Sequence, residues 1–273
     1  MILITGATGN VGRHLVAELL TAGSKVRALS RDPAGARLPS GAEVAHAGDL
    51  PMDGVEAVFF NPATSWSGPG ELLAKAKAHG VRRVVMLSSM SCLGADDPAN
   101  LIGQHHLEGE REIEASGLEW TFLRPGAFAA NTLDWAGQIR ENGVVRGPYA
   151  RAHTTPMHER DIAAAAAQAF LTDDLVGTRP VLSGPESLTQ ADQARIIGEA
   201  IGRPVRYEEV SPETAREAMI GGGVPAPFVD AMLRMFAGAV DTPDQVYPDF
   251  ERITGRPART FAEWAADHAP AFG

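Results

Sequence analysis

The sequence predicts an α/β fold: a doubly wound parallel sheet followed by a smaller α/β cap. Two observations carry that prediction. Short apolar, β-branched runs alternate with amphipathic stretches through the first half of the chain, which is the pattern of successive βα units. The first unit, Met1 to Ala22, is a strand that stops at Thr5-Gly6 and passes through glycines 6, 9 and 12 into a helix. With 273 residues, 44% hydrophobic and 21% charged, the chain can bury one large core with an appendage and has neither a disordered nor a fibrous composition.

The order strand, tight turn, helix gives each glycine a task. Gly6 permits the sharp turn, Gly9 lets the backbone approach a pyrophosphate, and Gly12 lets the helix pack closely on the strand. N–H groups and the positive end of the helix dipole then face the phosphates. This is the context of a Rossmann-type dinucleotide site, with Gly6, Thr8, Gly9, Asn10, Val11 and Gly12 as its first wall. The helix from Arg13 closes at Gly23, where glycine is favoured after a helix. Lys25 to Ser30 is the second strand, and Ser30-Arg31 stands at its end. An acidic residue there would take the ribose hydroxyls of NAD, whereas an arginine suits a 2′-phosphate. The expectation is NADP(H) in preference to NAD(H), with Asp32 adjacent as the competing acid.

Glu43 to Ala47 is a short strand followed by Gly48-Asp49-Leu50, and Ala57 to Phe60 is a buried one. Asn61 and Pro62 follow at its carboxyl end, where open α/β sheets hold ligands. Trp66, in a Gly/Ser/Pro-rich loop, either lies over the nicotinamide or is a surface aromatic. A helix over Glu71–His79 stops at Gly80. The buried strand Arg83–Leu87 then opens into Ser88-Ser89-Met90-Ser91-Cys92, at the active cleft. Cys92 has no basic companion in sequence and reads as an inert, buried thiol. A helix over Asn100–Ser116 and a strand over Trp120–Leu123 lead to Arg124-Pro125-Gly126. Phe128, Asn131 and Trp135 follow at near-helical spacing toward the substrate side, a stripe that is as readily core as pocket.

These segments resemble the atypical short-chain dehydrogenase/reductase superfamily, and its NmrA-like, quinone-reductase-like branch in particular. The resemblance rests on TGATGNVG, Arg27–Asp32, Leu87-Ser88-Ser89, Ser116–Gly126 and Thr254-Gly255-Arg256-Pro257, and it covers nearly the whole chain. It implies that Asp49 lies beside the adenine, with Leu50 next to it, and that Pro125 lies beside the nicotinamide carboxamide. Conventional members carry Tyr-x-x-x-Lys on the helix that here spans Asn100–Ser116. Aligned through Glu110, those positions hold Ile102 and His106, and Met90 falls where the family serine usually stands. The only lysines are 25, 75 and 77, so that proton relay is absent. His106 is the candidate in its place, to bind the ribose or to donate a proton. His105 points about 100° away from it on the helix. Glu110, one turn on, either orients His106 or forms a structural pair with it.

Past Asn142 the chain leaves the nucleotide-binding part, which gives units of 1–142 and 143–273 that interleave. Tyr149 lies in a Gly/Pro connector within reach of the cleft. Asp161 or a neighbour caps an alanine-rich helix over Ile162–Leu171. A strand over Thr178–Ser183, a helix from Thr189 to Ile201, a strand over Val205–Val210 and a helix from Ser211-Pro212 follow. Gly221-Gly222-Gly223 is a break. The helix Pro227–Ala239 carries Phe228, Met232, Met235 and Phe236 largely on one stripe, either a packing helix or an adaptable apolar wall for substrate. Thr260 opens the closing helix.

A net charge of −10 disfavours nucleic-acid binding. No apolar run is long enough for a membrane span, and Met1 leading straight into a strand leaves no room for a signal peptide. The single cysteine excludes an internal disulfide framework and any cysteine-based metal site. The location reads as cytoplasmic, and a homodimer is open. The leading expectation is an NADPH-dependent reductase of a quinone or other conjugated carbonyl compound, because hydride addition to such an acceptor needs little help from an acid. The alternatives are a non-catalytic NADP(H)-sensing regulator and a non-redox isomerase or cyclase on the same scaffold.

Overall fold

The computed structural model describes residues 1–65 and 67–273. The strands are β1 (Ile2–Ile4), β2 (Val26–Ser30), β3 (Glu43–His46), β4 (Ala57–Phe60), β5 (Arg83–Leu87), β6 (Glu119–Pro125), β7 (Val144–Gly147), β8 (His153–Thr154), β9 (Val181–Leu182), β10 (Leu188–Thr189) and β11 (Arg206–Glu209). The helices are α1 (Gly12–Thr21), α2 (Gly70–Ala78), α3 (Leu101–Ala115), α4 (Ala136–Asn142), α5 (Glu159–Leu171), α6 (Gln190–Ala200), α7 (Pro212–Gly221), α8 (Ala226–Gly238), α9 (Asp249–Thr254), α10 (Phe261–Asp267) and α11 (Ala269–Phe272).

Seven strands form one parallel sheet in the order β3-β2-β1-β4-β5-β6-β9. The strand order reverses between β1 and β4, and that reversal opens the crevice at their carboxyl ends where such sheets bind ligands. Strands buried on both faces read as continuous apolar runs, and β5 is buried at every position. One face is covered by α1 and α5, whose Leu15, Val16, Leu19, Ile162 and Ala166 share a core with Phe250 of α9. The other is covered by α2 and α3, through Leu72, Leu73, Ala76 and Ile113. The sheet is thus doubly wound, as the alternation of patterns predicts.

Beyond residue 142 the chain does not leave the sheet for good. The helix α5 lies on α1, and β9 adds a strand beside β6. The remaining residues build a separate layer around the fully buried Trp264, with Phe261, Phe272, Ile139 and Ile197. Parallel β7–β11 and antiparallel β8–β10 pairs edge this layer. A fourth, small cluster joins α7 and α8 through Ala215, Val229 and Leu233, with Tyr149 packed against it.

Capping follows local chemistry. Thr189 and Asp192 form a capping box on α6, as Thr260 and Glu263 do on α10. Ser211 caps α7 with Pro212 behind it. Gly221 ends α7 and Gly223 takes φ +94°, so the expected glycine break falls between α7 and α8. The cap of α5 is His158, whose ring Nδ1 accepts from Arg160 N–H. Among the described residues no helix is long and apolar enough to cross a membrane.

Candidate functional site

The turn after β1 brings backbone where no side chain fits. Gly6 adopts φ +64°, and a Cβ there would come within 2.9 Å of Asn61 Nδ2. A Cβ on Gly12 would sit 2.8 Å from Ala7 Cα and inside the Gly6 carbonyl, so α1 starts against the turn itself. The turn closes with Gly9 N–H donating to Gly6 O at 3.0 Å. No side chain caps the first turn of α1; Arg13 N–H donates to Gly9 O and the N–H groups of His14 and Leu15 to Val11 O, so what this end offers an anion is the glycine turn and the positive end of the helix dipole. Thr5 Oγ1 accepts the Asn61 N–H at 2.8 Å, stitching the ends of β1 and β4 together across the strand-order reversal.

A cavity of about 450 Å³ follows this seam. Gly6, Thr8, Gly9, Ser30, Arg31, Leu50 and Asn61 of the sequence-derived set line it. Its size and its glycine floor fit the phosphate and ribose part of a dinucleotide. Asn10, Val11 and Gly12 do not line it. The Asn10 Oδ1 accepts from Arg13 Nη2 at 3.0 Å, outside the turn, and Val11 and Gly12 are buried beneath it. Arg31 is exposed at the rim. Asp32 is occupied elsewhere, its Oδ1 accepting from Gly35 N–H at 3.1 Å. The Ser30 hydroxyl is engaged with the Asp32 backbone. Leu50 is held at φ +42°, a left-handed backbone that bulky residues avoid, beside the exposed Asp49. Pro62 opens a short 3-10 turn and lines a neighbouring chamber of about 120 Å³ against α3. Trp66 lies outside the described residues.

The ends of β5 and β6 and the helix α3 are clamped by one buried network. Glu110 accepts from Arg124 Nε (2.9 Å) and Nη2 (2.6 Å), and from the Ser88 hydroxyl (2.5 Å). Cys92 Sγ lies 3.7 Å from the same carboxylate, and burial pushes its thiol pKa up, in keeping with the inert thiol expected. Both carboxylate oxygens of Glu110 are therefore taken, and the idea that Glu110 orients His106 is corrected. A carboxylate 1% exposed beside a guanidinium gains more from a bidentate ion pair than from a neutral ring. His106 keeps a buried Nδ1 without a hydrogen-bond partner among the described residues. Burial, with His105 adding to it and Glu110 opposing, lowers its pKa to about 4. The ring is neutral at neutral pH.

Met90 packs over the backbone that follows Pro125, since a Cβ on Gly126 would lie 3.0 Å from Met90 Cε. Pro125 is buried at the end of β6. Phe128 pairs with Met157 at the edge of the first core, and Asn131 is exposed on the next turn. Trp135 packs edge-on against Tyr207 in the Trp264 layer, 5.8 Å between ring centres. Tyr149, at φ +51°, packs on the α7–α8 cluster. The structure thus sets Ser88, Met90 and Pro125 at the ends of β5 and β6, ties α3 to them through Glu110 rather than His106, and sets Trp135 and Tyr149 in other cores.

Sequence reading missed the hub at the start of α5. Glu159 accepts from Trp264 Nε1 and pairs with His268 Nε2, both at 2.9 Å. Burial opposes its charge, but His158 and His268 outweigh burial and hold its pKa at about 2. Asp161, fully buried, binds Arg256 and Arg259. The partners lie about a hundred residues apart in the chain, and only the run His158-Glu159-Arg160-Asp161 hints at them. No group of ligands that could hold a metal occurs among the described residues.

Residues 6–173 match the model of a family described as NAD(P)H-binding. The chain is 38% identical, over all of its length and 99% of the relative, to a (4-alkanoyl-5-oxo-2,5-dihydrofuran-3-yl)methyl phosphate reductase of Streptomyces griseus. It is 37% identical, with the same coverage, to an NAD(P)H azoreductase of Xenophilus azovorans. Among solved structures, the NADPH complex of an NADPH-dependent quinone oxidoreductase from Escherichia coli superposes with a TM-score of 0.81 at 26% identity. That match covers 98% of this chain and 99% of the other.

Proposed function

The chain belongs to the NAD(P)H-binding family, and from that premise we propose that it is an NADPH-dependent reductase of quinones and related conjugated acceptors. The observation that carries the proposal is a glycine-floored groove of about 450 Å³ at the strand-order reversal, on a scaffold whose α3 lacks the tyrosine–lysine acid. The glycine turn and the positive end of α1 bind the pyrophosphate. Thr5 and Asn61 hold the two strand ends at the spacing the groove needs. When bound, the cofactor supplies the hydride. The chain supplies position, through Met90 over Gly126 and the Glu110–Arg124–Ser88 clamp on α3, the helix that carries His106.

Tyr207 cannot act as the missing acid. Its hydroxyl donates to Pro148 O at 2.9 Å, and burial pushes its pKa well above the usual phenol value. His106, neutral, offers at most an N–H. A simple ketone becomes a localised alkoxide on reduction and needs a proton at once. The acceptors named for the relatives (an azo compound, a quinone, and an acylated dihydrofuranone with an alkanoyl chain) spread the added charge over a conjugated system. Such acceptors suit this cleft, and water completes the protonation.

NADP(H) is the preferred cofactor in this reading, with Arg31 at the groove rim and Asp32 turned to Gly35 in support. Asp49 and Leu50 flank the adenine, Ser30 lies toward its ribose, and Pro125 lies beside the carboxamide. A cytoplasmic location fits a single buried cysteine. A homodimer is tested by sedimentation. The direct test is oxidation of NADPH with a panel of quinones, azo dyes, enones and simple ketones. Turnover confined to the conjugated members is the expected result. Turnover with none of them overturns the proposal. Replacing Arg31 by Ala should weaken NADPH binding by about 10- to 100-fold, the value of a charge-assisted contact, and leave NADH binding unchanged.

A further inference from the structure

The first turn of α1 carries a charge without a counter-ion. Arg13 follows Gly12, and its exposed side chain folds back onto the glycine turn. Nε donates to Gly9 O at 3.2 Å and Nη2 to Asn10 Oδ1 at 3.0 Å. Nη1 takes part in neither bond. Gly9 O also accepts the Arg13 backbone N–H at 3.2 Å, so the guanidinium and the helix end are held against one carbonyl. Both side-chain acceptors are neutral, and among the described residues Arg13 pairs with no carboxylate. Acids are not scarce in this chain, whose net charge is −10.

A cation fixed at the start of a helix opposes the dipole, whose positive end is there, and is unfavourable in the empty protein. No acidic residue in the first turn offsets it. His14, the next residue, does not add to the charge. Burial lowers its pKa, with Glu159 opposing and Arg160, Arg13 and His158 adding, so the ring is uncharged above its ordinary value of 6.5. What the arrangement lacks is an anion. Gly9, against which the guanidinium rests, lines the groove of about 450 Å³. Two hydrogen bonds already hold the guanidinium in place, so an anion arriving in that groove meets a charge that loses little freedom on binding.

Resting on the reading of that groove as the dinucleotide site, we infer that Arg13 is a positioning residue for the cofactor pyrophosphate. Its guanidinium, pinned on the glycine turn, adds a full positive charge to the partial charge of the helix end at the place where the two phosphates lie. It acts through space and through the turn that it holds. The pyrophosphate is common to NADPH and NADH, so Arg13 serves both alike. Arg31, at the end of β2, reads the 2′-phosphate of NADPH alone. One arginine thus sets the affinity for dinucleotides as a class and the other sets the choice between them.

The test is calorimetric titration of the full chain, Arg13→Gln and Arg13→Lys with NADPH and with NADH at low and high salt. Arg13→Gln keeps a donor for the turn and removes the charge. It should weaken both dinucleotides equally, on the order of fivefold at about 0.01 M salt and by less than about twofold at about 1 M, where the charge is screened. Arg13→Lys keeps the charge without the planar fork and should stay within about twofold of the wild type. Without cofactor, the thermal midpoint of Arg13→Gln should equal or exceed that of the wild type, because a cation leaves the positive end of the helix dipole. Unchanged affinity in Arg13→Gln, or a loss confined to NADPH, overturns the inference. So does a loss undiminished by salt, a failure of lysine to restore binding, or a lower midpoint without cofactor, since each of these marks a structural staple. A wild type that binds neither dinucleotide refutes the reading of the groove itself, and takes this inference with it before any variant is compared.

Discussion

His106 has a buried Nδ1 without a partner among the described residues, and burial together with His105 brings its pKa to about 4. Its ordinary value is 6.5, so between about pH 4 and 6.5 the unfolded chain binds a proton that the folded chain refuses. Stability is therefore full above about pH 6.5 and falls by up to about 3 kcal/mol as the pH drops through that window. Urea denaturation of His106→Gln should lack this loss, and a wild-type stability flat from pH 7 to 4 would contradict the burial argument. The same neutrality predicts a kcat for quinone reduction that does not vary between about pH 5.5 and 8. A break near 6.5 would mean that the ring carries a working proton. Gly12 gives a second test at this scale. Gly12→Ala forces a methyl into the Gly6 carbonyl and Ala7 Cα. It should cut dinucleotide affinity by at least about tenfold and lower stability by about 1–3 kcal/mol, the cost of overpacking.

Among the elements, α3 is fixed to β5 and β6 by Glu110 and α5 to the C-terminal helices by Glu159. Both are buried carboxylates with named partners. Removing one member of a buried pair leaves an uncompensated charge and costs about 3–5 kcal/mol, whereas replacing both with apolar groups costs far less. Arg124→Met should thus destabilise more than Arg124→Met/Glu110→Met, as read by denaturant midpoints. Glu159 has a folded pKa of about 2 against 4.5 normally. Its contribution is present above about pH 4.5 and disappears as the pH falls through 2. In Glu159→Gln that acid loss should vanish while stability at pH 7 drops, and an unchanged acid limb would remove Glu159 from the cause.

For the molecule as a whole, the layer around Trp264 is built from the end of the chain. Phe261, Trp264, Ala265 and Phe272 pack on α4 and α6. Trp264→Ala should cost about 3–5 kcal/mol and expose α5 to proteolysis, because the Glu159 carboxylate loses its indole donor as well. If this layer were an independent appendage, the variant would keep the unfolding midpoint of the nucleotide-binding core. The interleaving of α5 and β9 with the first half predicts that both parts unfold together.

The reach of the sequence follows from the range of the forces involved. The doubly wound sheet was legible because buried parallel strands need continuous apolar runs and a βα turn at the strand-order reversal needs glycine at 6 and 12. The caps at Thr189, Ser211 and Thr260 were legible for the same reason, since each is settled within four residues. The loss of the tyrosine–lysine relay was visible as a plain absence of lysine after residue 77. The two-residue strands β8 and β9 carry no period that a pattern can detect, although β9 fell inside the apolar run Thr178–Ser183. Spacing on α3 placed Glu110 near His106. It could not show that Arg124, on β6, would claim both carboxylate oxygens. Trp135 joined the Trp264 layer because Tyr207, seventy-two residues on, arrives beside it. Sequence determined the fold and the cofactor class, since these rest on backbone conformation and local burial. Tertiary structure decided which charged and aromatic groups are left for chemistry, because a buried charge takes the strongest partner that folding brings within reach, however far away it lies in the chain.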